Sequence, residues 1–274
     1  TGGKFTYRAH LAQKRSVRKA ASRKFGHRVL DKNVPLQEFV LEGLREHWSP
    51  NEIVRRMKME YPQDTSMRIS HEAIYQYIYV LPRGTLKKEL VSLLRQERKR
   101  RRAKNGRKGK PEETRGKITD MLSIEERPQE VADRIIPGHW EGDLIVGKYN
   151  RSAIATLVER VTRYTLLIPL GGKRDAITVR KAIVKAVQTL PKELKKTLTY
   201  DQGKEMSEHK KFVISTGMTV YFAHPASPWE RGTNENTNGL IRQYFPKGTE
   251  FNKVPTRELK RVQRQLNGRP RAVL

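Results

Sequence analysis

The order of apolar runs after residue 137 constrains this chain more than any other feature. Stretches rich in β-branched and aromatic residues occupy 139–147, 152–160 and 163–170, separated by the turn-forming Gly147-Lys148-Tyr149-Asn150 and Thr162-Arg163. Helical periodicity follows within 176–190, through Ile177, Val179, Ile183, Val184 and Val187. A strand is predicted at 197–201, a helix at 207–216, a strand at 218–223 and a helix from about 233 to 245. A three-stranded meander that feeds parallel strand–helix–strand units makes a mixed sheet with helices on its faces.

That order is the order of a ribonuclease H-like fold: α/β, with a mixed five-stranded sheet and flanking helices. Three acids hold particular places in it. Asp143 lies inside an apolar run, His139-Trp140-Glu141-Gly142-Asp143-Leu144-Ile145-Val146, although aspartate is disfavoured within strands. Asp201 ends a strand, where ligand sites of open α/β sheets gather. Glu235 opens a polar helix, where an acid suits the helix dipole. Each has an ordinary explanation alone: a salt bridge from Asp143 to Arg160 or Arg163, a turn aspartate before Gln202-Gly203, a dipole-favoured acid. Taken together they fit better as a site. The first and fourth strands would be neighbours at the sheet centre, and the helix of Glu235 would pack beside them. Three converging carboxylates repel one another. A divalent cation resolves that repulsion, and Mg²⁺ favours carboxylate, water and phosphate oxygens.

The charge balance names the partner class. Lys plus Arg number 57 against 29 Asp plus Glu, a net charge of +28. Residues 1–138 hold 32 basic and 17 acidic side chains, and residues 139–274 hold 25 and 12, so both halves carry the excess. Both are expected to touch one polyanion, and nucleic acid is the usual one. The absence of cysteine excludes disulfides and Cys-based zinc sites. No apolar run approaches the ~18 residues of a membrane span, and no signal peptide is evident. A cytoplasmic protein without a membrane partner is expected.

Four segments follow. Residues 1–35 read as a basic arm: the first 30 hold nine basic and no acidic side chains. Residues 36–94 read as a small all-α helix-turn-helix domain. Leu36, Phe39, Val40 and Leu44 recur at helical spacing, and Ser49-Pro50-Asn51-Glu52 starts a second helix as cap, first-turn proline and capping-box acid. Ser70 caps a third, whose apolar face is Ala73, Ile74, Tyr77 and Ile78. As a recognition helix it would offer His71, Glu72, Gln76 and Tyr77 near a DNA groove; a helical bundle without DNA contact is the alternative. Residues 95–136 form a basic linker in which Arg98, Lys99, Arg100, Arg101 and Arg102 would lie along phosphates. Residues 137–274 form the catalytic core.

The motifs around the three acids resemble a known family. His139-Trp140-Glu141-Gly142-Asp143-Leu144-Ile145, Thr199-Tyr200-Asp201-Gln202-Gly203-Lys204-Glu205 and Ser227-Pro228-Trp229-Glu230-Arg231-Gly232-Thr233-Asn234-Glu235-Asn236-Thr237-Asn238-Gly239 are similar to the signatures of bacterial insertion-sequence transposases of the insertion-sequence-thirty family, which have a retroviral-integrase-like core. Residues 202–234 separate the last two acids, matching the short spacing of that class, and Arg242 lies two turns past Glu235 on the same helix face. The resemblance covers nearly the whole chain. Family members also carry a helix-turn-helix upstream of this segment and continue past Arg269-Pro270-Arg271 into another helix.

The resemblance implies a Mg²⁺-dependent DNA transposase, with Mn²⁺ as a substitute metal. Asp143, Asp201 and Glu235 would be the catalytic metal ligands, holding two ions about 3.5–4 Å apart. The enzyme would nick double-stranded DNA at the element's ends and join them to target DNA, as a dimer or higher homo-oligomer in the bacterial nucleoid. Glu141 and Trp229 are read as supporting groups around the carboxylates, with Glu141, Glu205 and Glu230 as competitors for the ligand role. Trp229 is either a core ring or a platform for a base. His224 flanks the site. Lys204, Arg231, Arg242 and Lys247 are read as DNA contacts. A non-catalytic regulator of the element and a structure-specific nuclease on the same fold are the alternatives.

Overall fold

The computed structural model describes residues 9–24, 29–81, 84–94 and 118–271. They fall into two compact units, one within Thr1–Lys99 and one within Arg100–Arg269.

The first unit is helical. Helix α1 (Ala9–Lys24) occupies the segment expected as a basic arm, and α2 (Val29–Lys32) follows. Helices α3 (Val34–Arg45), α4 (Pro50–Glu60) and α5 (His71–Val80) stand where three helices are predicted, and α6 (Thr85–Leu93) closes the unit. The starts are set by side chains. Ser49 and Glu52 form the expected capping box, and Ser70 Oγ accepts from Ala73 N at 3.1 Å. A third cap is Asn33, whose Oδ1 accepts from Leu36 N at 3.1 Å. Leu36, Val40, Leu44, Ile53, Met57, Ile74, Ile78 and Leu90 form one core. The joint between α4 and α5 spans residues 61–70 and contains a 3₁₀ turn at Thr65–Met67.

The second unit is built on a mixed sheet. Its elements are β1 (Leu122–Ser123), α7 (Gln129–Asp133), β2 (His139–Val146), β3 (Ala153–Glu159), β4 (Thr165–Pro169), α8 (Ala176–Gln188), β5 (Thr197–Tyr200), α9 (His209–Thr216), β6 (Thr219–Phe222), α10 (Gly232–Tyr244) and α11 (Thr256–Gly268). The strand order is β1-β6-β5-β2-β3-β4. The β2–β3 and β3–β4 pairs are antiparallel; β2–β5, β5–β6 and β1–β6 are parallel. This is the ribonuclease H-like arrangement, with one strand more than the five expected. The extra β1 is two residues at the edge, paired with β6.

The two faces of β2 divide the unit. Successive side chains alternate across a strand. Trp140 joins the core built with α8 and α9, where Val179, Ile183, Val187 and Phe212 lie. Its indole Nε1 donates to Leu194 O at 2.8 Å. Ile145 joins the opposite core with Leu240 and Ile241 of α10 and Leu259, Val262 and Leu266 of α11. Glu141 and Asp143 share the parity of Ile145 and therefore face α10.

Gly142 sits between those acids for a steric reason. A Cβ there would lie 2.5 Å from the ring of buried Tyr200, a distance no side chain tolerates. Gly142→Ala is expected to lower stability by about 1–3 kcal/mol through overpacking, read as a fall in melting temperature. An unchanged melt would mean that the Tyr200 ring can move aside. Among the described residues no helix is long and apolar enough to cross a membrane.

Candidate active site

Parallel pairing of β2 with β5 sets Glu141 opposite Thr199. Asp201, two residues past Thr199, therefore comes level with Asp143, two residues past Glu141. A guanidinium stands between them. Arg231 Nη2 donates to Asp201 Oδ2 at 3.0 Å, its Nη1 donates to Gly142 O at 3.0 Å, and Nη1 lies 3.6 Å from Asp143 Oδ1. Each carboxylate is also fixed by neutral donors. Asp201 Oδ1 accepts from Gly203 N at 3.1 Å. Asp143 Oδ1 accepts from Leu144 N at 2.9 Å and its Oδ2 from Asn238 Nδ2 at 2.7 Å. Thr156 Oγ1 in turn donates to Asn238 Oδ1 at 3.3 Å.

Burial pushes the Asp143 carboxyl above the ordinary carboxylate range; Arg231 opposes the shift and the nearby charge of Asp201 adds to it. A raised value means that the folded state holds the proton more tightly than the unfolded chain. Stability is then fully present below the unfolded value and declines as pH rises through the folded one. Asp143→Asn is therefore expected to raise the melting temperature at pH 7, with a smaller gain near pH 4. A neutral-pH melt that stays put or falls would contradict a carboxylate held against its solvation.

Glu141 is 0% exposed. Its Oε1 lies 3.0 Å from Arg160 Nη1, and its Oε2 accepts from Asn234 N at 2.9 Å. The second bond places a carboxylate on an N–H in the first turn of α10, where unpaired donors and the helix dipole both favour an anion. Arg160 is 4% exposed, and burial lowers its pKa to about 10 against the pull of Glu141. Arg163 donates to Thr233 Oγ1, and Thr156 Oγ1 donates to Asn234 Oδ1 at 3.3 Å. Arg160 and Arg163, read from the sequence as ordinary partners for Asp143, thus tie down the start of α10 instead.

Glu235 lies on the first turn of α10, one turn before Asn238, and its side chain is exposed. The structure brings Asp143 and Asp201 together through Arg231, and Glu235 stands one turn before Asn238, the residue that bonds Asp143. Among the described residues no group of three or more His, Asp or Glu side chains is placed to hold one metal ion. Burial pushes the Glu205 carboxyl up, and the charges of Asp201 and Asp143 add to that. Glu230 is engaged elsewhere, with His224 Nδ1 2.8 Å from its Oε1.

The expected DNA contacts divide. Lys204, Lys247, His71 and Gln76 are exposed. Tyr77 is buried in the helical core, where its hydroxyl accepts from Gln37 Nε2 at 2.8 Å, so its ring serves packing rather than a groove. Arg242 is turned inward, donating to Val146 O at 2.9 Å and to the carbonyls of Phe245 and Pro246. Arg231, read as a DNA contact, bridges the two aspartates. Trp229 is 72% exposed, which removes the core reading. Arg98, Lys99, Arg100, Arg101 and Arg102 lie outside the described residues. Sequence reasoning missed Asn238 as the partner of Asp143. Its signal was the spacing of three from Glu235, which puts both on one helix face.

Residues 134–228 match the family model of the integrase core domain, a span that includes Asp143 and Asp201. The chain is 46% identical over 231 residues to the transposase for insertion sequence element IS1086 of Cupriavidus metallidurans, covering 84% of this chain and 67% of that protein. It is 44% identical over 248 residues to the transposase InsI for insertion sequence element IS30A of Escherichia coli, covering 90% and 63%. It is 36% identical over 268 residues to the transposase for insertion sequence element IS4351 of Bacteroides fragilis, covering 97% and 77%. The chain spans about two thirds of the length of the first two of these relatives.

Proposed function

We propose a DNA-cutting and DNA-joining function for this chain, which belongs to the insertion-sequence-thirty family of transposases. The reaction is cleavage of phosphodiester bonds at the ends of an insertion sequence, followed by transfer of the freed 3′-hydroxyl to target DNA. The observation that carries the proposal is the pair Asp143 and Asp201, set level on neighbouring strands with a cation between them.

The donor chemistry suits Mg²⁺. Both groups are carboxylates, hard oxygen donors of the kind that ion takes, and they already face one positive charge in Arg231. Asp143 and Asp201 would hold the metal, with Glu235 as the third donor from the exposed side of α10. Once bound, the metal supplies charge neutralisation at the phosphate and activation of the attacking oxygen.

The protein's own groups arrange the site. Asn238 holds one oxygen of Asp143 at 2.7 Å and so fixes the plane of that carboxylate. Glu141 fastens the start of α10 to β2 and thereby sets where Glu235 emerges. Arg231, which stands between the two aspartates, would meet a reacting phosphate there, and charge-assisted bonds to phosphate oxygens are the strong ones. Gln76 and His71, exposed on α5, supply contacts to the DNA, and two protomers serve the two ends that must be joined.

The test is incubation of labelled element-end duplex with the chain and Mg²⁺ or Mn²⁺. A nicked strand with a free 3′-hydroxyl and a joined product are expected. Binding without any cut would leave a DNA-binding regulator as the better reading.

A further inference from the structure

We propose that the turn between β2 and β3 is a DNA contact point for the strand that runs past the paired aspartates. Lys148 and Arg151 meet phosphates there, and the Tyr149 ring lies against a base or sugar exposed where the duplex frays. The inference rests on the DNA-cutting reading and adds a binding surface to it.

The first ground is backbone cost without a packing return. Tyr149 has φ +52° and Asn150 φ +58°. Within the six-residue connection 147–152, asparagine tolerates a positive φ, whereas a bulky side chain such as that of Tyr149 there is an outlier. The Tyr149 ring recovers nothing by burial, being 76% exposed. Strained residues of this kind gather at binding and catalytic sites.

The second ground is that the ring stands on a fixed base. Gly147 N donates to Ser152 O at 2.7 Å, Lys148 N to Thr249 O at 3.0 Å, and Phe251 N to Ser152 Oγ at 3.0 Å. A Cβ on Gly147 would lie 2.6 Å from both Ser152 Oγ and Thr249 O, so the two loops meet in van der Waals contact. Arg242 clamps the same junction from below through Val146 O and Pro246 O.

The third ground is charge. Lys148 Nζ lies 5.1 Å from the Tyr149 ring centre and Arg151 Cζ 5.8 Å from it. The neighbouring loop adds Lys247 and Lys253, and the one acid of the two loops, Glu250, is shared between Lys148 at 3.6 Å and Lys253 at 2.6 Å. An exposed ring with Lys148 and Arg151 beside it combines an aromatic surface with phosphate-binding cations, the combination that binds unpaired nucleic acid. An acidic protein partner would use the cations but not the ring.

The last ground is place. The turn begins four residues beyond Asp143 on β2, roughly 13 Å along the strand at ~3.3 Å per residue. That is about four base-pair rises of ~3.4 Å, so a strand lying on the aspartates reaches the turn about four nucleotides from the cut.

The test uses element-end duplex carrying 5-iodouracil four nucleotides from the cleavage position. Irradiation is expected to cross-link that base to Tyr149 in the wild-type chain. Tyr149→Gly relieves the left-handed strain, so it should melt higher than wild type while losing the cross-link. A lower melt would mark the ring as structural and overturn the proposal. Lys148→Glu with Arg151→Glu should flatten the slope of log affinity against log salt by about two, at ~0.9 per phosphate contact. Cutting by the wild type with a cross-link elsewhere, or an unchanged salt slope, overturns the turn as a DNA contact and leaves the catalytic reading intact. A wild type that neither binds nor cuts the duplex removes both.

Discussion

Asp143→Asn, Asp201→Asn and Glu235→Gln are each expected to lower strand cleavage by at least ~10³-fold while element-end DNA still binds with nearly wild-type affinity. The size follows from what a carboxylate does in a metal-assisted phosphoryl reaction. Charge stabilisation by a held cation is worth several kcal/mol, and each ~1.4 kcal/mol is tenfold in rate. The separation of cleavage from binding follows from the charge distribution. Affinity for DNA is carried by phosphate contacts to lysine and arginine, of which the chain has 57, so one neutralised acid changes it little. Cleavage assays run beside binding titrations decide the matter residue by residue. Near-normal cleavage by one variant would remove that residue from the site, and Glu235 faces the sternest test because its side chain is exposed.

The second large effect is on stability. Glu141→Ala removes the partner of Arg160 and leaves a buried guanidinium uncompensated. Breaking a buried ion pair from one side costs about 3–5 kcal/mol, a large fraction of the ~5–15 kcal/mol that holds a domain folded. The same change strips the acceptor from Asn234 N at the head of α10. Glu141→Gln keeps an acceptor oxygen and the side-chain volume, so it should recover part of the stability without the charge. Its cleavage rate should remain below wild type, because α10 is then held less firmly. Thermal melts of the two variants check this, and a Glu141→Ala protein melting within a degree or two of wild type would mean that Arg160 finds another partner.

Much of this fold is legible in local pattern. The alternation and β-branched content of 139–170 predict three antiparallel strands, and capping residues predict the helix starts at Ser49 and Ser70. Two elements fall outside those predicted. Strand β1 is two residues whose conformation comes from pairing with β6, an interaction no local periodicity encodes. Helix α11 carries a plain signature, Leu259, Val262 and Leu266 at helical spacing among charged residues, yet it is not among the helices predicted from the sequence. The approach of Asp143 to Asp201 follows from strand order and parity, both visible in sequence. The role of Arg231 does not, since an arginine in a basic chain looks like a phosphate contact until the fold sets it 3.0 Å from Asp201. Tyr77 shows the same limit from the other side: its helical spacing marks it as apolar face, and the structure follows the spacing.

The central claim is that Asp143, Asp201 and Glu235 together hold the divalent metal of the reaction. Mn²⁺ binding to the chain on element-end duplex, followed by electron paramagnetic resonance, tests it most directly. The account predicts saturable Mn²⁺ uptake by the wild type and its loss in Asp143→Asn, Asp201→Asn and Glu235→Gln alike. Uptake by Glu235→Gln equal to that of the wild type, or no uptake by the wild type on DNA, would contradict it.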